Sequence, residues 1–286
     1  MKLCFFDDNR FGMVDGDAVK DVTAVLDRLP ALRPPLPHFD PVIAALPDLL
    51  PALREAAAAA GPGQPVSATR FLPPVANPGK VVAAPLNYLA HHEETVADPA
   101  TFSRAHVNRI QESGLFLKAA SSIVGTSAGV ALRFPERRND HEIELVAVIG
   151  IGGSAIAEAD ALRHVAGYTL GLDMTLRGVE ERSFRKSIDS YTVLGPWLVT
   201  ADEFGDPADV GISIAVNGQE RQNARTKDLI LSVPALIAFA SSFYTLHPGD
   251  ILMTGTPEGV GPVVPGDVLT AFVERVGTVD VAVRAA

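Results

Sequence analysis

The sequence has little of what marks several large classes of protein. Its 286 residues contain one cysteine, Cys4, so no disulfide can form within the chain and a thiol nucleophile is not expected. It has no block of basic residues, and its formal net charge is −10, a sign that repels phosphate backbones. These absences argue against a nucleic-acid partner, and they favour a cytoplasmic compartment.

Long apolar segments are also missing. No apolar run approaches the roughly 20 residues that cross a bilayer, and the apolar start of the chain reaches Asp7 too soon to be a secretory signal. The content of 47% hydrophobic and 20% charged residues is that of a globular enzyme. We therefore expect no membrane partner, a chain that starts at Met1, and one large core with a smaller appendage.

Proline separates a small N-terminal part from a larger body. Three short β-type runs with turn residues between them predict a meander: residues 2–6, 11–14 and 19–22. After several prolines, helical composition appears in residues 42–46 and again, past Pro47, in residues 51–60. Residues 1–70 are therefore predicted to form a small α+β domain, and residues 71–286 the catalytic domain.

The larger body is richer in strands than in helices. β-Branched residues dominate four runs: residues 142–150, 210–216, 251–254 and 279–283. Residues 233–244 have helical spacing, and residues 157–166 are a second candidate helix. The predicted class is α+β with β predominating.

Acidic residues in the first of these runs suggest a metal site. In a strand the side chains alternate, so Glu142 and Glu144 would lie on one face, about 7 Å apart along the backbone. Two half-buried carboxylates repel each other and lose hydration, so they need a cation or basic partners. The alternative is a solvated strand edge, and the Glu-x-Glu spacing alone does not decide between the two.

Asp173 is a third candidate, because it ends an otherwise apolar, strand-like segment. Alone, an acid in such a position is more often a turn or cap residue. Three carboxylates without histidine or cysteine would form an all-oxygen site, which favours Mg2+, Mn2+ or Ca2+ over zinc.

A histidine and a lysine are the candidate catalytic residues. His91 precedes Glu94 by three residues, which puts the two on one helical face and permits a dyad in which the histidine takes a proton from water. The alternative is an exposed helix start with incidental histidines. Lys186 lies in a basic segment that could hold an anionic substrate, although a lone lysine is usually a surface residue.

An ordered set of motifs resembles the fumarylacetoacetate hydrolase family over residues 75–275. Each motif is short, and the order of the whole set carries the resemblance. The motifs are Pro78-Gly79-Lys80, Asn87-Tyr88-x-x-His91-x-x-Glu94, Phe116-x-Lys118, Glu142-x-Glu144, Asp173-x-Thr175-x-Arg177, Lys186, Gly195-Pro196-Trp197, Asn217-Gly218, Pro248-Gly249-Asp250 and Thr254-Gly255-Thr256-Pro257-x-Gly259-Val260-Gly261.

The resemblance implies a mixed β-barrel or roll of the family's C-terminal type with a small N-terminal domain, usually in a homodimer. It implies Mg2+ or Mn2+ as cofactor, held by Glu142, Glu144 and Asp173. For the remaining site residues it implies these roles: water activation by His91 and Glu94, substrate and transition-state contacts by Lys186, and substrate binding by Tyr88, Glu180 and Thr256.

The chain departs from the family pattern at three positions. Ala90 stands where members often have an aspartate, so the pocket rim is expected to be less polar. Gly178 stands where members often have another aspartate, so the precise reaction does not follow from the resemblance alone. Glu180 replaces a common glutamine, and its added negative charge would disfavour a second carboxylate on the substrate.

The resulting functional hypothesis is a divalent-metal-dependent hydrolase that cleaves a C–C bond of a small acylpyruvate or related β-diketo acid. A metal-stabilised enolate would leave, and water activated by the His91–Glu94 dyad would attack. The first alternative is a decarboxylase, isomerase or hydratase of a 2-keto acid in aromatic-compound catabolism, such as a 2-hydroxyhepta-2,4-diene-1,7-dioate isomerase. The second, from another class, is a non-catalytic protein that binds a metal and a small acid.

Overall fold

The computed structural model describes residues 1–97 and 110–286. The strands are β1 Lys2–Phe6, β2 Arg10–Asp15, β3 Ala18–Asp21, β4 Gln64–Pro65, β5 Val81–Ala83, β6 Phe116–Lys118, β7 Ile123–Gly125, β8 Val130–Leu132, β9 Asn139–His141, β10 Ile143–Ile149, β11 Val165–Asp173, β12 Thr175–Leu176, β13 Thr192–Thr200, β14 Gly211–Val216, β15 Gln219–Arg225, β16 Ile251–Met253, β17 Gly261–Pro262, β18 Val268–Val273 and β19 Gly277–Ala285. The α-helices are α1 Pro41–Ala59, α2 Leu89–Ala97, α3 Ile110–Ser113, α4 Arg182–Lys186, α5 Ala201–Phe204 and α6 Val233–Phe243. The predicted α+β class with β predominating is confirmed.

The N-terminal meander forms where the apolar runs predict it. β1 pairs antiparallel with β2, and β2 with β3. Asp7, Asn9 and Gly16 have positive φ angles of 48°, 61° and 57° in the two connecting turns, a conformation that these residue types tolerate best. β1 also pairs antiparallel with β13, so the N-terminal strands extend the sheet of the body. The division into domains at residue 70 stays a prediction.

Helix α1 is longer than the sequence predicted. Two helical pieces separated at Pro47 were expected, whereas one helix of 19 residues runs through Pro47 and Pro51. Both prolines lie on the exposed side of the helix, where water can satisfy the carbonyls that lose an amide partner. The opposite side packs on the core through Leu46, Leu49 and Leu53. The expected break at Pro47 is therefore wrong.

The body is built on one large, mostly antiparallel sheet. Its neighbour order is β4-β3-β2-β1-β13-β11-β10-β16-β5-β6, with β7 paired to β13. Two smaller sheets have the orders β12-β9-β17 and β15-β14-β18-β19-β8. Among the residues described, each pairing path has two ends. The β-rich body is therefore a set of open sheets, and a closed barrel is too strict a description of it.

Two apolar clusters cover opposite faces of the large sheet. Alternate residues of the fully buried β10 enter one cluster or the other, as the period of a strand requires. Val146 and Val148 pack in the cluster that also contains the α1 leucines. The other cluster receives Ile143, Leu145, Ala147 and Ile149. Glu144 shares the face of Val146, so it points into the interior of the protein.

Residues 157–166 do not form the predicted α-helix. Glu158–His164 is a 3-10 helix, and β11 begins at Val165. β11 pairs with both β10 and β13, and this two-sided pairing outweighs the helical propensity of an alanine-rich segment. The other predicted helix is confirmed as α6, capped by the side chain of Ser232. In the described part of the chain, no helix is both long and apolar enough to cross a membrane.

Asp40 joins α1 to the segment before β5. Its Oδ1 accepts the amides of Val42 and Ile43 at 2.9 and 3.0 Å, which caps the helix. Its Oδ2 accepts the amides of Ala76 and Asn77 at 3.1 and 2.9 Å. One fully buried carboxylate therefore satisfies four backbone donors.

We predict that Asp40→Ala lowers the free energy of unfolding by roughly 2–4 kcal/mol, because it removes a cap and leaves buried amides without acceptors. Urea denaturation would measure the change. Asp48→Ala, at an exposed site in the same helix, is the control and should change stability by less than about 1 kcal/mol. Equal effects of the two substitutions would contradict the role given to Asp40.

Candidate active site

Three buried carboxylates converge where β10 begins and β11 ends. Glu142 lies between β9 and β10, Glu144 is the second residue of β10, and Asp173 is the last residue of β11. The amide of Asp173 donates to the carbonyl of Glu142 at 2.9 Å, which holds these two acids side by side. One ligand atom from each acid lies within 4.8 Å of the others. With exposures of 5%, 1% and 1%, the acids do not lie at a solvated strand edge.

Two buried lysines contact this acidic cluster. Lys186 donates from Nζ to Glu142 Oε2 at 2.7 Å and to Asp173 Oδ2 at 2.6 Å. Lys118 donates to Asp173 Oδ1 and to the carbonyl of Tyr191. Burial lowers the pKa of Lys118; the Asp173 carboxylate opposes that shift, and the Lys186 charge adds to it. Lys186 is therefore a buried residue of the site and not an ordinary surface lysine.

The two glutamates have opposite electrostatic environments. Burial alone would raise the pKa of Glu142, but the Lys186 and Arg177 charges outweigh burial and hold that pKa well below its usual range. Burial raises the pKa of Glu144, and the charge of Asp173 raises it further. Glu144 is the carboxylate whose ionised form is least compensated by the protein.

Arg177 connects the cluster to a further acid that the sequence analysis did not single out. Its Nη2 donates to Glu142 Oε1 at 3.0 Å, and its Nε donates to Asp140 Oδ2 at 2.7 Å. Asp140 is fully buried and also accepts from Arg138 Nε at 2.8 Å. Asp140 therefore orients the guanidinium against Glu142. Its place beside a Glu-x-Glu pair was the only sequence signal for this role.

His91 and Glu94 form the predicted contact on α2. His91 Nδ1 and Glu94 Oε2 are 2.8 Å apart, and Glu94 Oε1 accepts the amide of Gly259 at 3.1 Å. A carboxylate can only accept, so we assign the proton of this contact to Nδ1, which makes Nε2 the basic nitrogen. His91 is 4% exposed, so the alternative of an exposed helix start does not describe it.

The hydroxyl of Thr256 is oriented by a side chain that the sequence analysis missed. Gln222 Nε2 donates to Thr256 Oγ1 at 2.8 Å and to the carbonyl of Pro257 at 2.7 Å. Gln222 Oε1 accepts the amide of Ile143 at 3.1 Å and lies 3.1 Å from His141 Nδ1. Since Thr256 Oγ1 accepts from Gln222, its own proton can be donated elsewhere. Gln222 belongs to a strand of mostly polar residues, in which nothing distinguishes it by sequence.

One cavity brings most of the predicted site residues together. Its empty volume, counted with the open mouth, is about 610 Å³. Five of the predicted site residues line it: His91, Glu142, Asp173, Lys186 and Thr256. Glu144 and Glu94 do not line the cavity themselves. Glu144 belongs to the acidic cluster with Glu142 and Asp173, and Glu94 contacts His91.

Two predicted substrate contacts are not among the described residues that line the cavity. Tyr88 is buried, and its hydroxyl has no hydrogen-bond partner in the described part of the chain. Glu180 forms a two-pronged ion pair with Arg137, with both N···O distances at 2.9 Å, and the Arg137 hydrogen bond lowers the pKa of Glu180. The roles of both residues in substrate binding stay predictions.

The acidic cluster fits a divalent cation. Its donors are all carboxylate oxygens, which suits Mg2+ or Mn2+. Burial and the charge of Asp173 raise the pKa of Glu144, so a further positive charge beside it would favour its ionised form. A hydrogen bond of 2.7 Å from the amide of Gly255 to Glu144 Oε2 holds this side chain in place. A cation held by these three residues would supply the missing charge.

An acidic cluster of this kind, in a strand-rich α+β fold and beside a His–Glu pair, is typical of an enzyme that uses a hard metal ion on a small oxygen-rich substrate. Comparison with protein families makes this class specific. Residues 80–284 match the family described as fumarylacetoacetate (FAA) hydrolase, C-terminal. The chain belongs to this family, and the resemblance found in its sequence is confirmed.

Several relatives have known or named activities. The chain is 54% identical, over 286 residues and 99% of both sequences, to maleylpyruvate hydrolase of Aquipseudomonas alcaligenes. The crystal structure of maleylpyruvate hydrolase from Sphingobium sp. SYK-6, in complex with manganese(II) and pyruvate, is 37% identical and covers 100% of both chains with a TM-score of 0.85. A mitochondrial oxaloacetate tautomerase of Homo sapiens is 38% identical over 240 residues, which are 79% of this chain and 73% of that protein.

We predict that Glu144→Gln weakens Mn2+ binding by at least about 10-fold, because it removes a charged ligand from the cluster. Calorimetric titration of the metal-free protein with MnCl2 would measure this. Glu258→Gln, at an exposed position near the site, is the matched control and should leave the affinity unchanged. Full affinity in the Glu144 variant would mean that the cation binds elsewhere.

Proposed function

We propose that this protein hydrolyses maleylpyruvate or a closely related acylpyruvate, with Mg2+ or Mn2+ bound by Glu142, Glu144 and Asp173. The observation that carries the proposal is the acidic cluster and the His91–Glu94 pair meeting around one cavity. Extensive similarity to maleylpyruvate hydrolases supports the substrate class. A non-catalytic binding protein would not need the buried dyad.

The bound cation supplies Lewis-acid stabilisation for the enolate that leaves. His91 takes a proton from water through Nε2 while Glu94 holds Nδ1–H, which keeps the ring in the tautomer that can act as a base. The hydroxide adds to the acyl carbon of the substrate. The C–C bond to the neighbouring methylene then breaks, and its electron pair goes to the pyruvate enolate. The methylene carbon regains a proton when pyruvate forms.

Thr256 and Lys186 orient the substrate in this scheme. Thr256 can donate its hydroxyl proton to the pyruvate carboxylate, because Gln222 already donates to its oxygen. The positive charge of Lys186, which is 5% exposed, acts in a site from which water is largely excluded. Electrostatic stabilisation of developing negative charge is strong under these conditions.

Tautomerisation of a 2-keto acid is the second candidate function, favoured by the similarity to an oxaloacetate tautomerase. It needs the cation and a base but no attacking water. The two functions differ in their products. A screen of Mn2+-loaded protein on acylpyruvates, oxaloacetate and hydroxymuconate-like diacids, with products identified by mass, would separate them. Incorporation of oxygen from 18O-labelled water into a carboxylate product identifies hydrolysis.

We predict that His91→Ala lowers the rate of acylpyruvate hydrolysis by about 10²–10⁴-fold, because the general base is lost. Mn2+ affinity should stay unchanged, since the acidic cluster is intact. Steady-state kinetics and metal titration on one preparation would measure both quantities. His92→Ala is the matched control, with the same substitution one residue along the helix. Hydrolysis near the wild-type rate in the His91 variant would rule out the dyad and direct attention to Lys186.

The protein is further proposed to be a cytoplasmic homodimer. Its single cysteine, Cys4, is buried, and burial raises the pKa of the thiol to about 12, so it is protonated and protected at neutral pH.

Several large apolar side chains are exposed and offer surface for a partner subunit: Leu89, Val179, Phe184 and Phe243.

We predict that sedimentation at micromolar concentration gives twice the chain mass of 30.2 kDa, because these apolar side chains would be buried between two subunits. A double variant, Phe184→Ser with Phe243→Ser, tests whether they contribute and should shift the population towards monomer. A single species at the mass of one chain in the wild type would contradict the homodimer.

A further inference from the structure

The cavity has an excess of positive charge on the side formed by α4. Arg177, Arg182, Arg185 and Lys186 all line it. Arg177 and Lys186 form ion pairs with Glu142 in the acidic cluster. The two arginines of α4 add two further positive charges to the lining of the cavity.

Arg185 is the clearer case. It is 6% exposed, and its hydrogen bonds go to two carbonyls, Glu180 O at 3.3 Å and Leu176 O at 3.4 Å. Within residues 1–97 and 110–286, no carboxylate lies at ion-pair distance from its guanidinium. Burial lowers the pKa of Arg185 and the charge of Arg177 lowers it further, whereas the charges of Glu142, Asp173 and Glu181 oppose the shift. A buried guanidinium in this environment gains from an anion that enters the cavity.

Arg182 adds a second charge to the same wall. Its guanidinium lies 5.5 Å from the ring centroid of Phe116, and Lys186 Nζ lies 5.5 Å from the same centroid. Phe116 also lines the cavity. The ring is therefore close to both the lysine that contacts the acidic cluster and the first residue of α4. Burial lowers the pKa of Arg182 and the neighbouring Arg185 charge lowers it further, whereas the charges of Glu142, Asp173 and Glu181 oppose the shift.

Glu180 does not neutralise this wall. It was expected to repel a second substrate carboxylate, but both of its oxygens pair with Arg137. The charge that the sequence seemed to direct at the substrate is compensated by a residue that does not line the cavity. The balance of charge on the α4 side of the cavity therefore favours a second anionic group.

We propose that Arg182 and Arg185 form a subsite for the second carboxylate of a dicarboxylic acylpyruvate, the one carried by the acyl fragment that leaves as the acid. This inference rests on the proposed function for its orientation: the pyruvate end lies at Glu142, Glu144 and Asp173, and the acyl end points towards α4. Charge-assisted contacts to two guanidiniums select dicarboxylic over monocarboxylic acyl groups.

The first test compares two substrates in one variant. Arg182→Gln should lower kcat/KM for maleylpyruvate by about 10- to 100-fold, chiefly through KM, and should leave kcat/KM for acetylpyruvate, which lacks the second carboxylate, within about twofold. Arg182→Lys, which keeps the charge, should recover part of the loss. An equal fall for both substrates, or none for maleylpyruvate, would overturn the subsite.

Arg275→Gln is the matched control. Arg275 also lies 5.5 Å from a phenylalanine ring, that of Phe204, but it does not line the cavity. The same substitution there should leave both substrates unaffected. Circular dichroism and thermal melting of each variant separate a folding defect from a lost contact. The same measurements are made on Arg185→Gln. The Arg185 side chain also donates to two backbone carbonyls, so the folding controls are essential for this variant.

The second test does not depend on turnover or on the metal. Metal-free wild-type protein is titrated by calorimetry with maleate and with crotonate, which carries one carboxylate. Maleate should bind at least about 10-fold more tightly, and Arg182→Gln and Arg185→Gln should each reduce that preference. If the preference is present but no acylpyruvate is hydrolysed, the proposed function fails and the subsite stands. Hydrolysis of an acylpyruvate with no preference for maleate would disprove the subsite and leave the proposed function intact.

Discussion

The repulsion between three buried carboxylates is the constraint on which the rest of the site depends. Glu142, Glu144 and Asp173 place ligand atoms within 4.8 Å of one another in the interior, where ionised groups lose their hydration. Lys118 and Lys186 compensate part of this charge. Arg177 also pairs with Glu142, whereas burial and the charge of Asp173 raise the pKa of Glu144. A divalent cation bound by the three acids would reduce the repulsion between them.

The fold divides the chemistry among different kinds of element. The candidate metal ligands lie at the start of β10 and at the end of β11, and the positions of these strands are fixed by pairing on both sides. The candidate base, His91, lies on α2, which brings it to the cavity from outside the large sheet. α4 contributes Lys186 to the acidic cluster and two arginines to the cavity wall. Rigid strands suit side chains that must converge closely, and the helices add the groups that surround them.

Whether a sequence-based prediction is confirmed depends on how far apart in the sequence the interacting residues are. The His91–Glu94 pair depends on helical spacing of three residues and is found as predicted. Glu-x-Glu spacing left two interpretations open, because burial depends on what packs above a strand. The prediction of a helix at residues 157–166 is wrong, because the residues from Val165 onward pair with β10 and β13 as strand β11. Gln222 gave no signal, since its partners Thr256 and Pro257 are distant in sequence.

The sequence by itself determined the family, the β-rich class, the all-oxygen character of the candidate metal ligands and the His91–Glu94 contact, because residue types and short spacings carry that information. Only the tertiary structure decided which charges meet. The pairing of Glu180 with Arg137 joins residues 43 positions apart, and it removed the charge that the sequence appeared to direct at the substrate. The grouping of Arg182 and Arg185 with the metal ligands around one cavity is likewise decided by the fold. Electrostatic energy depends on distance in space and on burial, and neither can be read from the order of residues along the chain.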